Sequence, residues 1–586
     1  MNTPITIDQL LSAYRSGELT VRDFLTQQWQ LAQQDTHNSW ISLLSEGQLA
    51  GYISHLEGQD SQALPLYGVP FAVKDNIDLA GLATTAGCEA FAYQPQQSAF
   101  VVDLLIKAGA VPLGKTNLDQ FATGLVGARS PWGAGKNSFD PEYISGGSSA
   151  GSATTVALNQ VYFSLGTDTA GSGRVPAAFN NIVGLKPTKG LLSCSGVVPA
   201  CRTLDCVTFF ARSAGDIQVL LDVAAVYDPQ DCYARQDEPQ VLPTRYQGLK
   251  VGVPRDDQLA FFGNQAYQQQ FAQALQRLQL LGAELVEFDL QPFLDAARLL
   301  YQGPWVAERY AAIRAFFEQD SSRCLPVIET IIGGAVNFSA ADTFEYMYQL
   351  QAYKVQCDRL LAEVDVVVTP TAGSTYTIAE VDANPIELNS HLGYYTNFMN
   401  LLDYTALAMP AGLTETGMPF GITLFAPAFS DRSLLQLAEL WQSNTRLPLG
   451  ATGQFLPQDE RVDLLVCGAH MQGLPLNHQL TGVGAVRKSQ GQTAAKYRMY
   501  ALAGGLPYRP GLVRDEEYGE SLNIEVWSFP KHALGELLTQ IPHPLGLGKV
   551  ELSDGSWVTG FISEAVGMVG ADDITSFGGW REYLAE

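Results

Sequence analysis

The chain is poor in histidine, in positive charge and in closely spaced cysteine. Only seven histidines occur in 586 residues, at positions 37, 55, 391, 470, 478, 532 and 543. Histidine is the usual base behind a serine or cysteine nucleophile. None lies near the hydroxyl-rich segment in sequence, so a lysine discussed below competes with a histidine brought in by the fold for the role of base. Lysine and arginine total 35 against 60 aspartates and glutamates, a net charge of −25. That balance argues against nucleic acid or an anionic membrane as partner. Any anion site must then be built locally, from a cation inside a pocket. The eight cysteines contain no C-x-x-C pair and no His/Cys set with zinc spacing. A disulfide framework and a metal site are therefore not expected, and reduced thiols are. No apolar run reaches the roughly 18 residues of a membrane span. The opening MNTPITIDQLLSAYRSGELT has neither a basic nor an apolar leader region, so no export signal is read there and the cytoplasm is the expected compartment.

What is present is material for a large interior. Hydrophobic residues make up 46% of the chain, and its length predicts two or more domains. Residues 6–57 read as helices, with Ile7, Leu10, Leu11 and Tyr14 on the helical period. Residues 65–215 alternate short β-rich runs (69–73, 111–113, 161–165) with Ala-rich helical stretches, which predicts an α/β layered core with a mixed sheet. Residues 262–363 read as mostly helical. Strand signals return at 364–368 and 420–424, and a helix near 433–442 closes the unit. The Pro/Gly/Thr/Gln-rich stretch 446–461 reads as a linker. Residues 462–586, with VDLLVCG, LNIEVWSF and KVELSDGSWVTGFI, read as a small β-rich α+β domain.

The most informative stretch is 145–174. SGGSSAGS is followed by mostly small residues and then GTDTAGSGR. Such a segment orders at a cost in backbone entropy, but it brings hydroxyls and backbone N–H groups close to a small polar substrate. A serine nucleophile also needs a base and oxyanion donors. Lys74 follows the apolar run Val69–Val73. A lysine entering the interior at a strand end is desolvated, which lowers its pKa towards neutrality. On composition alone, a surface lysine capping the strand is the alternative.

Together these segments resemble the amidase signature family. The resemblance rests on Lys74 in VKDNID, GGSSAGSA at Gly146–Ala153, GTDTAGSGRVPA at Gly166–Ala177, GLKPTKG at Gly184–Gly190, TPT at Thr369–Thr371, and MPAG…MPFGITL between Met409 and Leu424. It covers about residues 5–445 and implies an α/β/α layered amidase domain over 1–445. It also implies a Ser–Ser–Lys site. Ser172 matches the nucleophile, Ser148 the bridging serine held by a cis peptide after Gly147, and Lys74 the base. The backbone N–H groups of Thr169, Ala170, Gly171 and Ser172 match the oxyanion hole. Asp168 and Arg174 flank the loop, and a bracing ion pair is the preferred reading of both.

Specificity must come from outside the signature. LYQGPWVAERY at Leu300–Tyr310 resembles the allophanate hydrolase branch of the family, where the matching Tyr301 and Arg309 hold a substrate carboxylate. The two can share a helix face if Pro304 only begins or kinks the helix. From the residues alone, a core tyrosine and a surface arginine fit as well. Gly124 is expected to line the same pocket. DLLVCGAHMQGLPLN at Asp463–Asn477 resembles that branch's extra domain, whose fold is related to γ-glutamyl cyclotransferases. His470 is the candidate catalytic residue there, with a structural histidine as the alternative. Glu525 is a candidate inward-facing acid. The resemblance implies hydrolysis of allophanate to ammonia and carbon dioxide, with no cofactor and no metal. It further implies a homodimer and a functional partnership with a urea carboxylase. Two other readings are an ammonia-supplying component of an amidotransferase, and an amidase for another small carboxylated amide with the tail as an interaction module.

Overall fold

Short apolar strands that are buried on both faces need cover on both sides, and the first part of the chain arranges itself around that need. The computed structural model describes residues 4–456 and 461–586 and divides into two units, Met1–Leu456 and Pro457–Glu586. The first unit is built on one mixed sheet. Its strands are β1 (Trp40–Leu43), β2 (Pro70–Lys74), β3 (Val111–Thr116), β4 (Phe163–Asp168), β5 (Val183–Lys186), β6 (Cys206–Ala211), β7 (Lys250–Pro254), β8 (Glu284–Phe288), β9 (Val366–Pro370), β10 (Tyr404–Leu413) and β11 (Pro419–Pro427). Their order is β1-β3-β2-β4-β6-β5-β10-β11-β9-β7-β8. β2 runs parallel to β3 and β4, whereas β4 pairs antiparallel with β6.

Two differences from the sequence reading fall at the edges. The helical stretch 6–57 is broken by β1, which pairs with β3 through an irregular register. The region around 262–363 contains β8, an edge strand whose Glu284 and Glu287 face out. Charged residues on an edge discourage further strand pairing.

β2 and β4 place the chemistry. Their register sets Val73 beside Leu165, so Lys74 and Thr167–Asp168 emerge side by side from adjacent carboxyl ends. Open α/β sheets present ligand sites at such ends. The helix Ala150–Ala157 begins just after Ser148 and Ser149, and all eight of its residues are buried. Its small side chains permit this: a Cβ at Gly151 would meet the carbonyl of Ser39. The chain from 446 onward does not run free after the helix Asp431–Thr445. Gly450 N–H donates to Asn181 O at 3.1 Å and Ala451 N–H to Ala157 O at 3.0 Å. Residues 457–460 of the expected linker lie outside the described residues.

The second unit carries a five-stranded and a three-stranded sheet. In the larger one, β12 (Arg461–Val466) is flanked by β13 (Asn523–Pro530) and β14 (Trp557–Ser563). Alternate residues of β12 and β13 feed two clusters. Leu465, Ile524 and Val526 enter one, and Leu464, Val466, Trp527 and Phe529 enter the other. The period of two along a strand thus supplies an apolar layer to each face.

Candidate active site

Lys74 is fully buried at the end of β2. Its Nζ donates to Ser148 Oγ at 2.8 Å and to Thr167 Oγ1 at 2.7 Å. Burial lowers its pKa to about 7, against the opposing pull of Asp119, Asp168 and Asp205, while Arg309 adds to the lowering. Such an amine can shed its proton near neutrality. The Gly147–Ser148 peptide is cis. Gly147 has no room for a side chain: a Cβ there would meet the Asp119 carboxylate and the Gly127 nitrogen.

Ser172 is 3% exposed. Its hydroxyl makes one hydrogen bond among the described residues, a long one of 3.5 Å to the carbonyl of Gly124. The loop that carries it is fastened by Asp168, whose carboxylate accepts from Gly171 N–H at 2.7 Å and Gly173 N–H at 3.0 Å. The same carboxylate pairs with Arg174, both side chains being fully buried. Burial alone would raise the Asp168 carboxyl, but the Arg174 charge and these donors hold it below its ordinary value. Arg174 also reaches Thr396 O and Asn400 Oδ1 at 3.1 and 3.2 Å. Gly171 sits at φ +136°, and a Cβ there would strike the Thr396 side chain.

These bonds divide the four backbone donors expected around the oxyanion. Gly171 N–H is spent on Asp168, which takes it out of the donor set. The N–H groups of Thr169, Ala170 and Ser172 donate to no protein acceptor among the described residues. Those three are therefore the donors available to a ligand oxygen near Ser172.

Tyr301 and Arg309 come together, but not along one helix. Gly303 and Pro304 separate the helices Gln291–Gln302 and Trp305–Asp320, with Gly303 in an extended conformation. The guanidinium of Arg309 lies 5.8 Å from the centroid of the Tyr301 ring, a cation–π arrangement. Arg309 is 3% exposed. It donates to Ala122 O at 3.4 Å and Thr123 Oγ1 at 3.1 Å and pairs with no carboxylate among the described residues. Gly124 follows directly. One short loop therefore touches both the buried cation and the candidate nucleophile.

Three residues of this environment escaped sequence reasoning. Thr167, the second partner of Lys74, sits inside the GTDTAGSG motif, but its role depends on β2–β4 register. Asp119 accepts from Gly127 N–H at 3.0 Å and Arg129 N–H at 2.9 Å and packs against the α-carbons of Gly124 and Gly147. Asp205 accepts from the Thr169 hydroxyl at 2.5 Å and from Ala200 N–H at 2.8 Å. Burial raises its pKa to about 6. Neither aspartate carries a sequence signal beyond its burial among small residues.

In the second unit, His470 follows β12. Its Nε2 bonds Gln479 Oε1 at 2.8 Å, and its ring stacks on Phe561 at 4.7 Å. Burial lowers its pKa, which favours the neutral imidazole. Glu525 is fully buried, as an inward-facing acid should be. It is also saturated, by Gln472 N–H at 2.8 Å, Trp527 Nε1 at 3.1 Å, Arg487 and Arg581. It acts as a structural counter-ion. Among the described residues, no group of histidine, cysteine and acidic side chains could hold a metal.

The family model described as Amidase matches residues 20–435. The chain belongs to the amidase family. A second model, the allophanate hydrolase C-terminal domain, matches residues 462–585 of this amidase. Among curated proteins, the amidase is 44% identical over 572 residues to a urea amidolyase of Lachancea kluyveri, which covers 93% of this chain and 31% of that protein. The chain thus spans under a third of that relative's length. It is 32% identical over 448 residues to one of the subunits of a glutamyl-tRNA(Gln) amidotransferase from Methanosarcina barkeri, covering 69% of this chain and 92% of that one. Among solved structures, a Kluyveromyces lactis allophanate hydrolase superposes with a TM-score of 0.74 at 41% identity, covering 99% of both chains. The amidase fold with its large mixed sheet and its β-rich C-terminal domain is therefore shared across the full length.

Proposed function

We propose that this amidase hydrolyses allophanate (urea-1-carboxylate), releasing ammonia and, after loss of carboxyl groups, carbon dioxide. The observation that carries the reading is Arg309: a buried guanidinium with no carboxylate partner among the described residues, bonded to the loop whose Gly124 carbonyl holds the Ser172 hydroxyl. A buried cation calls for a counter-charge, and a guanidinium fork matches a carboxylate. Allophanate carries a carboxylate and a terminal amide on one small frame.

In the proposed reaction, neutral Lys74 takes a proton from Ser148 as Ser148 takes one from Ser172. The Ser172 oxygen attacks the terminal amide carbon, and the developing oxyanion meets the N–H groups of Thr169, Ala170 and Ser172. Each such donor is worth about 3–4 kcal/mol. The carbon–nitrogen bond breaks as the proton returns along the same chain to the leaving nitrogen, and ammonia departs. Water then cleaves the acyl-enzyme ester and leaves a nitrogen bearing two carboxylates. His470 is proposed to assist decarboxylation of that product. The remaining carbamate falls to ammonia and carbon dioxide.

Agreement over both units with a K. lactis allophanate hydrolase supports this reading. The amidotransferase relatives support the amide chemistry but match 69% of this chain, against 93% for the urea amidolyase. A urea carboxylase is the proposed functional partner, in keeping with longer relatives named urea amidolyase. A homodimer in the cytoplasm is likewise proposed. Among the described residues, no helix is long and apolar enough to cross a membrane. The test is ammonia release by the full chain from allophanate, malonamate, urea and glutamine. Turnover of allophanate that is lost in Ser172→Ala is expected. Preferential turnover of glutamine, or activity retained by Ser172→Ala, overturns the assignment.

A further inference from the structure

The carbonyl against which the Ser172 hydroxyl rests belongs to the peptide group that joins Gly124 to Leu125. The other end of that same group, the Leu125 N–H, donates to Asn389 Oδ1 at 2.8 Å, 264 residues further along the chain. A peptide group is planar, and in its trans form the C=O and N–H point in opposite directions. This one is trans. Drawing its N–H to Asn389 therefore turns the Gly124 carbonyl the other way, towards Ser172. Nothing local sets that orientation. Gly124 has no side chain to hinder rotation, and it has no room for one: a Cβ there would meet the Asp119 carboxylate and the Arg129 guanidinium.

Asn389 is suited to hold a fixed direction. It is 6% exposed and sits in the short helix Glu387–Leu392. That helix is anchored at its end, where Leu392 is fully buried and His391 Nδ1 bonds the Tyr376 hydroxyl at 2.8 Å. A second tie joins the same segment to the loop. Arg129 donates to Pro385 O at 2.5 Å and to Thr123 O at 2.9 Å. The peptide before Gly124 and the peptide after it are thus both fastened to residues 385–389. On its other side, Leu125 O accepts from Gly147 N–H at 2.7 Å. The same pin therefore bears on the residue that precedes Ser148.

We propose that Asn389 is a positioning residue of the site: by accepting from Leu125 N–H it fixes the plane of the Gly124–Leu125 peptide and aims the Gly124 carbonyl at the reacting group. The inference rests on the reading of Ser172 as nucleophile and deepens it. Once Ser172 has passed its proton to Ser148 and attacked, its oxygen no longer donates to the Gly124 carbonyl. That acceptor is then available to an N–H of the amide under attack. An ester offers no donor at that point, and its leaving oxygen is repelled by the same carbonyl. Asn389 thus favours amide over ester without touching the substrate.

The test compares Asn389→Leu, which removes the acceptor and keeps a branched side chain, with Asn389→Asp, which keeps the acceptor. Binding is measured calorimetrically in Ser172→Ala protein with malonamate and with monomethyl malonate, which share a carboxylate and differ in the amide or ester. With Asn389 in place, malonamate is expected to bind at least tenfold tighter than the ester. Asn389→Leu is expected to shrink that ratio to threefold or less, and Asn389→Asp to keep it. With Ser172 present, Asn389→Leu is expected to lower kcat for allophanate at least tenfold, with a smaller change in KM and recovery in Asn389→Asp. A ratio left unchanged, or both affinities falling by one factor, overturns the proposal, since a merely structural role acts on the two ligands alike. So does a crystal structure of Asn389→Leu protein in which the Gly124 carbonyl keeps its direction, whichever way the ligands bind. Where Asn389→Leu does not fold, the smaller Asn389→Ala takes its place in each comparison. Failure of both ligands to bind with Asn389 in place counts against the carboxylate role of Arg309, while the crystal structure still decides the role of Asn389, so the two failures are distinguishable.

Discussion

A lysine at zero exposure pays for its burial in a lowered pKa, and the proposed reaction assigns it the proton traffic. With its pKa lowered to about 7 by burial, Lys74 becomes a competent base as pH rises through neutrality. The rate constant kcat/KM for ammonia release is expected to climb through about pH 7 and level off above it. A profile that is flat from pH 6 to 9 would remove Lys74 from the base role. The stability consequence has the same origin. An unfolded lysine titrates near 10.5, so between about 7 and 10.5 the unfolded chain holds the extra proton. This group therefore makes stability rise with pH across that window and imposes its full cost below it. Lys74→Met is expected to raise Tm at pH 6 while abolishing turnover, as strained functional sites do. Gly171 gives a steric counterpart. At φ +136° and against Thr396, Gly171→Ala is expected to lower Tm and to cut kcat at least tenfold, measured by calorimetry and ammonia release. At this scale the sequence pointed to Ser148 and Ser172 through motifs of small residues that packing alone does not require, and to Lys74 through its place at the end of an apolar run in VKDNID. It was silent about Asp119 and Asp205. A buried aspartate acquires its role from the N–H groups that converge on it, and convergence is a property of the folded chain.

Between residues and domains, the segment Ala200–Asp205 links two elements that sequence keeps apart. Asp205 holds the Thr169 hydroxyl, Cys201 Sγ reaches the carbonyl of Trp305 at 3.5 Å, and Thr203 donates twice to Glu308 at 2.8 Å. The oxyanion loop and the helix that bears Arg309 thereby share one support. Hydrogen bonds to a charged group are worth about 1.5–3 kcal/mol when buried and less when exposed. Thr203→Val, at an exposed site, is expected to raise KM for allophanate about three- to tenfold with a smaller change in kcat. An unchanged KM would show that the helix start needs no such tether. Helix and strand types in the core were readable from apolar runs, since β2 and β4 are buried on both faces. The edge strands were not. Trp40–Leu43 is four residues between two helices, too short to display a period, and Glu284–Phe288 is disguised by the charges that protect its edge. The break at Gly303–Pro304 was visible as residues, yet only the fold tells that Tyr301 and Arg309 meet across it.

At the scale of the whole chain, the two units divide the proposed chemistry, and their products can be counted separately. His470→Asn in the full chain is expected to leave ammonia release from the first step within about twofold while lowering the yield of carbon dioxide per ammonia. Equal loss of both products would place His470 in the folding of its unit instead. The change of texture near residue 460 was legible because strand-rich and helix-rich segments differ in composition. The packing of 449–451 against Ala157 and Asn181 was not, since its bonds are backbone bonds that carry no residue signature.

The three residues Ala122, Thr123 and Gly124 take on a further meaning at this scale. They accept from Arg309 and from Ser172 within one short stretch, so the part proposed to recognise the substrate and the part proposed to attack it are not separable modules. A lineage, or an engineer, that trades Arg309 for an apolar residue to admit neutral amides also releases the loop against which the attacking hydroxyl rests. New specificity on this scaffold is thus a paired change, and single-residue variants at position 309 are expected to lose the old substrate well before they gain a new one.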